Sequence, residues 1–286
     1  MPSNRTTVLF LTGKGGVGKT FLAERLAAEL GRLSGRVGLV SMPRAADARA
    51  NGATAAYPPE IEAVAIDERA ALGQLLARVV GLRLIADRLL DSRTFAAAAA
   101  AAPGLRELVI VSFLEELTTR DRYRFVVVDG PATGHSLALL TAPARFAKLA
   151  PIGPPARRAR AASELVADPR RFVVSIVSAP EELAAREAVE GLAKLREAGI
   201  APRGVIVNGI YPGLATPSEA EWLASHSHHP DVRLYLARRA RQLRVVEALA
   251  REAGALEIVP RELAGTQSAA AQLEELARRF VREAEA

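Results

Sequence analysis

The chain has 286 residues, a net charge of +6, half of its residues hydrophobic and only 5% aromatic, which suits one large α/β domain of helices packed on a sheet. Cysteine is absent, which excludes a disulfide framework and any thiolate metal site, zinc included. No stretch approaches the roughly 20 uninterrupted apolar residues of a membrane span, so stable membrane insertion is not expected.

In chain order, the first element is a strand over Thr7–Thr12, entered without the long apolar segment of a secretory signal. A cytoplasmic protein is the expectation. Residues 13–20 then read Gly-Lys-Gly-Gly-Val-Gly-Lys-Thr, the G-x-x-x-x-G-K-[ST] phosphate loop. Its glycines let consecutive backbone N–H groups turn inward around an anion where a Cβ would not fit. In such loops the second lysine, Lys19, reaches the β- and γ-phosphates and the Thr20 hydroxyl holds Mg²⁺. A helix over about Thr20–Leu33 adds its N-terminal dipole. A Gly-rich turn between strand and helix would not explain both lysines. Lysine occurs only at Lys14, Lys19, Lys148 and Lys194. Lys14, just before Gly15-Gly16, marks the variant loop of MinD, ParA, nitrogenase iron protein and arsenite-pump ATPases; the alternative is a solvated loop lysine.

A strand over Arg36–Ser41 precedes residues 42–59, which lack periodicity, carry Pro43, Asn51-Gly52 and Pro58-Pro59, and read as a long loop. After a strand over Ile61–Ile66, residues 70–123 are helical, broken by the alanine run Ala96–Ala102 and by Pro103-Gly104. This segment is either a partner- or client-binding lobe or an ordinary helical layer, since alanine is the best helix former. The fourth strand, Arg124–Asp129, ends in a carboxylate suited to holding Mg²⁺, usually through water. It is followed by Gly-Pro-Ala-Thr-Gly-His-Ser-Leu, a loop whose glycines permit movement in response to a γ-phosphate. Further strands are expected at Phe172–Val177, Gly204–Asn208 and Ala255–Val259.

Among the later helices, Glu181–Ala198 sets Leu183, Leu192 and Leu195 on one side. Val232–Ala253 sets out Leu236, Leu243, Val246 and Ala250, and Ser268–Glu283 sets out Leu273, Leu276, Phe280 and Val281. Near-continuous β-branched strands alternating with helices predict a doubly wound, mainly parallel sheet spanning residues 1–286 as a single P-loop domain. The arginine clusters Arg157–Arg160 and Arg238–Arg244 are either solvated helix faces or contacts for nucleic acid or an anionic membrane. No aromatic residues interleave them, which argues against nucleic acid. His226, His228 and His229 in a Pro-bounded stretch are metal ligands or a solvated loop.

The string VVVDGPATGHSLALL at 126–140 resembles the second switch region of the arsenite-pump ATPase (ArsA) family, which includes the ATPase that targets tail-anchored membrane proteins. Other stretches resemble the family in order. They are IEAVAIDERAAL at 61–72, PGLRELVIVSFL at 103–114, VSAPEELAAREAVEGLAKLREAGIAPRGVIVN at 177–208 and IVPRELAG at 258–265. The resemblance implies ATP and Mg²⁺, with Gly15, Gly16, Val17, Gly18, Lys19 and Thr20, continued by Phe21, as the cradle. It implies that Lys14 acts across a dimer, that Thr20 and Asp129 serve the metal, that Asn208 contacts adenine and that the Pro260 segment closes over the base. His135 in the switch string is either a general base or, as we prefer, a loop-positioning residue.

The chain departs from the family at the first switch. There the family has an aspartate that orients the attacking water; aligned from Ser41, Pro43 takes that position and Ala46 replaces a histidine. Asp47 nearby is a substitute only if the loop bends differently. The expectation is an ATP-dependent dimeric switch with weak or no hydrolysis alone. It is either a homodimer or the non-hydrolytic half of a heterodimer with a paralogous ATPase, with a protein client also in view. The alternative is a MinD- or ParA-like positioning ATPase working on membrane or DNA, though the final helix ends in acidic residues where a membrane-targeting helix favours basic ones. A metabolic kinase on the same scaffold lacks any recognisable substrate motif.

Overall fold

The computed structural model describes residues 5–42, 57–67, 71–73, 104–119, 122–149, 152–262 and 268–285. The first-switch residues Pro43, Ala46 and Asp47, most of the 42–59 loop and the alanine run Ala96–Ala102 lie outside them.

Seven strands form one all-parallel sheet: β1 Thr7–Gly13, β2 Val37–Ser41, β3 Ile61–Ala65, β4 Phe125–Asp129, β5 Phe172–Ser178, β6 Pro202–Ile210 and β7 Leu256–Pro260. Their order is β3-β2-β4-β1-β5-β6-β7. Each coincides within a few residues with a strand expected from the sequence. β-Branched runs without polar alternation need apolar cover on both faces, and only crossover helices supply it. Eight helices of ten residues or more are described: α1 Lys19–Ser34, α2 Leu105–Thr119, α3 Thr133–Leu149, α4 Pro154–Ala167, α5 Glu182–Glu197, α6 Pro217–His226, α7 Pro230–Ala253 and α8 Ser268–Glu285.

The two-residue period of β1 divides the core. Val8 and Phe10 point into one apolar layer with residues of α2, α3, α4, α5 and α7; Leu9 and Leu11 point into the other, with Leu22, Leu26 and Leu30 of α1 and Leu273, Leu276 and Phe280 of α8. The stripe expected on α8 is therefore the one it buries. Two other stripes need correction. On α5, Leu192 and Leu195 are buried but Leu183, in the first turn, is 60% exposed. On α7, Val245, Val246, Leu249 and Ala253 are buried, whereas Leu243 and Ala250 are exposed. Only the C-terminal half of α7 reaches the sheet, so its apolar face is set by that contact and not by the average periodicity of the helix. The first half packs with α6, which buries none of its residues.

β1 lies between β4 and β5, in register Leu11↔Asp129 and Gly13↔Val177. The carboxyl ends of three central strands therefore open at one edge, beside the loop that leads into α1. No described helix is long and apolar enough to cross a membrane.

Candidate nucleotide site

Residues 13–18 turn from β1 into α1 through glycines in the left-handed region, with φ of 84° at Gly16 and 87° at Gly18. A Cβ on Gly18 would fall 2.2 Å from Asn208 Nδ2, and one on Gly13 would fall 2.0 Å from Val177 O. The loop is thus fitted tightly between β5 and β6, while nothing lies within 4 Å of the Cβ directions of Gly15 and Gly16. That open side is a cradle for an anion at the start of α1.

Lys19 is buried and its ammonium donates to Gly13 O at 2.9 Å and to Lys14 O at 2.8 Å. The loop's own carbonyls thus hold the Lys19 charge beside the loop. In the next residue the Thr20 hydroxyl donates to Asp129 Oδ2 at 2.7 Å, across 109 residues of sequence. This joins the first turn of α1 to the buried carboxylate at the end of β4. A hydroxyl and a carboxylate side by side are the hard oxygen donors Mg²⁺ takes when it binds through few protein ligands and phosphate. The residues present therefore fit the metal.

The loop after β4 is tied to β1. Thr12 Oγ1 lies 2.8 Å from Ser136 Oγ, and both hydroxyls lie 3.0 Å from Pro131 O. Gly130 N donates to Leu11 O at 2.9 Å. His135, in the first turn of α3, lines a cavity of about 570 Å³ together with Gly15, Gly16, Lys19, Met42 and Asp129.

Of the sequence-selected residues, Gly15, Gly16, Val17, Gly18, Lys19, Thr20 and Asp129 come together at this edge. Asn208 joins them from β6, its amide donating to Val17 O at 2.9 Å. Lys14 is partly exposed and pairs with Glu187 of α5 at 2.8 Å. Phe21 is 39% exposed, with the Arg25 guanidinium 5.5 Å from its ring. Pro260 ends β7, in register with Ile210, on the far edge of the sheet. Sequence reasoning missed Thr12, Ser136 and Glu187. Ser136 belongs to the switch string and was open to notice; the partnership of Thr12 and Glu187 with distant residues left no local signal. The three histidines belong to no group of metal-ligating residues among those described, and His226 stacks on Trp222 at 4.7 Å.

A parallel sheet with this loop after its central strand, and a carboxylate ending the neighbouring strand, defines a P-loop nucleotide-binding protein of the doubly wound class. Residues 6–151, just over half of the chain, match the anion-transporting ATPase family, and the chain belongs to it. ATPase BagA of Mycobacterium tuberculosis is 27% identical over 227 residues, covering 73% of this chain and 66% of its own. The putative arsenical pump-driving ATPase of Halobacterium salinarum is 27% identical over 274 residues, and the arsenical pump-driving ATPase of Escherichia coli 27% over 257. These two alignments cover 83% and 87% of this chain but 42% of each relative. The chain thus spans less than two thirds of the length of these relatives.

Proposed function

We propose that the protein binds ATP with Mg²⁺ at this edge and works as a nucleotide-dependent dimeric switch that hydrolyses ATP weakly or not at all by itself. The observation that carries the nucleotide reading is the Thr20–Asp129 hydrogen bond of 2.7 Å beneath the open cradle, with Lys19 held above it. Family membership and the arsenical pump-driving ATPases among the relatives support the same reading.

The backbone amides of Gly15–Thr20 would hold the β-phosphate, and Lys19 would exchange its carbonyl partners for phosphate oxygens. Thr20 and Asp129 would serve Mg²⁺, which neutralises phosphate charge when bound. Asp129 then links the nucleotide to the loop that Thr12 and Ser136 anchor, so the γ-phosphate bears on the start of α3. Asn208, now on Val17 O, is placed to steady the loop wherever its amide meets the base. Lys14 would act on the nucleotide of a second subunit, leaving Glu187 to do so. Hydrolysis needs a group that aims water; Pro43 has no carboxylate, which supports slow turnover or a heterodimer with a paralogous ATPase.

Calorimetry with Mg²⁺–ATP tests the binding step. We expect Lys19→Ala to weaken binding about a hundredfold, the effect of roughly 3 kcal/mol of charge-assisted hydrogen bonding. No affinity in the unaltered protein, or affinity unchanged in Lys19→Ala, overturns the proposal.

A further inference from the structure

A second cavity, of about 640 Å³, opens between α5 and α7 and is lined by Arg186, Arg238, Arg241 and Arg261. We propose that it is a binding site for a small phosphorylated anion, separate from the phosphate loop. Its arginines come from three parts of the fold: Arg186 from α5, Arg238 and Arg241 one turn apart on α7, and Arg261 from the segment after β7. All four side chains are exposed, so the core does not need them there, and their like charges around one cleft repel one another weakly in water. An anion relieves that repulsion, and the planar guanidinium fork suits phosphate oxygens.

The carboxylates in the cleft do not cancel the charge. Glu181 and Glu182 also line it, but Glu182 meets Arg241 at 3.3 Å with both side chains about two-thirds exposed, a weak pair. Neither Arg186 nor Arg261 forms an ion pair with a described residue.

The wall is also built. Tyr211 N–H donates to Gln242 Oε1 at 2.8 Å, Arg239 donates to Tyr211 O, and Tyr235 meets the Tyr211 ring edge-on at 5.9 Å. The Arg261 guanidinium lies 5.2 Å from the centre of that ring, leaving a fixed aromatic wall beside the cations. Arg238 hydrogen-bonds the Tyr211 hydroxyl and, with the charge of Arg261, holds the phenol below its ordinary pKa against the opposing effect of burial. Glu182 and Leu183, the first residues of α5, with Glu181 before them, add a helix N-terminus to the same wall.

Arg186 and Glu187 are neighbours on α5, about 100° apart around its axis. Glu187 holds Lys14 of the phosphate loop while Arg186 faces the cleft. The cleft and the cavity beside the phosphate loop share no lining residue.

Pyrophosphate is the probe, titrated by calorimetry into Lys19→Ala protein so that the phosphate loop is weakened. We expect saturable binding that falls about tenfold or more when Arg186→Gln and Arg238→Gln are added, while Arg251→Gln on the exposed end of α7 changes nothing. Absent binding, or binding indifferent to the paired substitutions, overturns the proposal. In otherwise unaltered protein the same pair should leave ATP affinity within about twofold. A parallel tenfold loss of ATP affinity would make the cleft part of the nucleotide site and also overturns it. Failure of ATP to bind at all defeats the functional reading and leaves the pyrophosphate result standing.

Discussion

Gly18 carries two constraints that a sequence motif compresses into one letter. Its φ of 87° costs a side-chain-bearing residue about 1–2 kcal/mol, and a methyl there would also strike the Asn208 amide. Gly35 has the same φ of 87° but a ψ of −139°, outside the left-handed well that Gly18 occupies at a ψ of 26°, and nothing lies within 4 Å of its Cβ direction. Both substitutions by alanine are expected to lower the melting temperature, Gly35→Ala by backbone strain alone, with loss of nucleotide affinity only in Gly18→Ala. Calorimetry and thermal denaturation on both variants read the difference; nucleotide affinity unchanged in Gly18→Ala would mean that the Asn208 contact is slack. At Thr20, replacement by alanine removes the hydroxyl that meets Asp129. ATP affinity in that variant should lose most of its dependence on Mg²⁺, measured by titration with and without chelator.

At the scale of elements, α5 and α8 have opposite tasks. α8 seals the face that holds α1. Its Phe280 is 2% exposed and lies beneath the Arg203 guanidinium at 4.7 Å. Phe280→Ala should destabilise the protein by about 3–5 kcal/mol in urea unfolding, with nucleotide affinity per folded molecule unchanged. By contrast α5 carries charge to the functional edge. The Lys14–Glu187 pair has side chains 34% and 40% exposed, so Glu187→Gln should alter stability by less than about 1 kcal/mol. If Lys14 must leave Glu187 to reach a second subunit, that substitution should favour ATP-dependent dimers at severalfold lower protein concentration. Sedimentation velocity with Mg²⁺–ATP reads it, and unchanged or weaker association would show that the pair does not restrain Lys14. The arginine cluster of α4 also acquires a definite task. Arg158 reaches Glu115 of α2 at 2.6 Å with both side chains mostly buried, so at least this member is an interhelical contact and not a solvated face.

For the whole molecule, the parallel sheet determines where chemistry can occur. Helices cover both faces, so the loop after β1 opens at the carboxyl ends of the strands, and Thr20 and Asp129 meet there from elements far apart in sequence. The proposed switch then depends on whether anything in the first-switch loop replaces the absent aspartate. Purified protein should show little ATP turnover alone, and residual turnover should persist in Asp47→Asn. Robust turnover that vanishes with that substitution would assign Asp47 the water-orienting role and end the weak-hydrolysis reading.

The sequence by itself determined the seven strands, because parallel strands buried on both faces must be apolar throughout, and such runs stand out against helical spacing. It also determined the phosphate loop, whose chemistry resides in eight consecutive residues, and, through the string at 126–140 that MinD and ParA lack, the family. Only the tertiary structure decided that Thr20 meets Asp129, that Asn208 steadies Val17 and that Lys14 rests on Glu187, since each joins residues more than a hundred positions apart. It also decided which half of α7 is buried and gathered four arginines into one cleft. A periodic pattern reports the preference of a helix for some apolar contact, whereas the neighbouring elements choose which turns receive it.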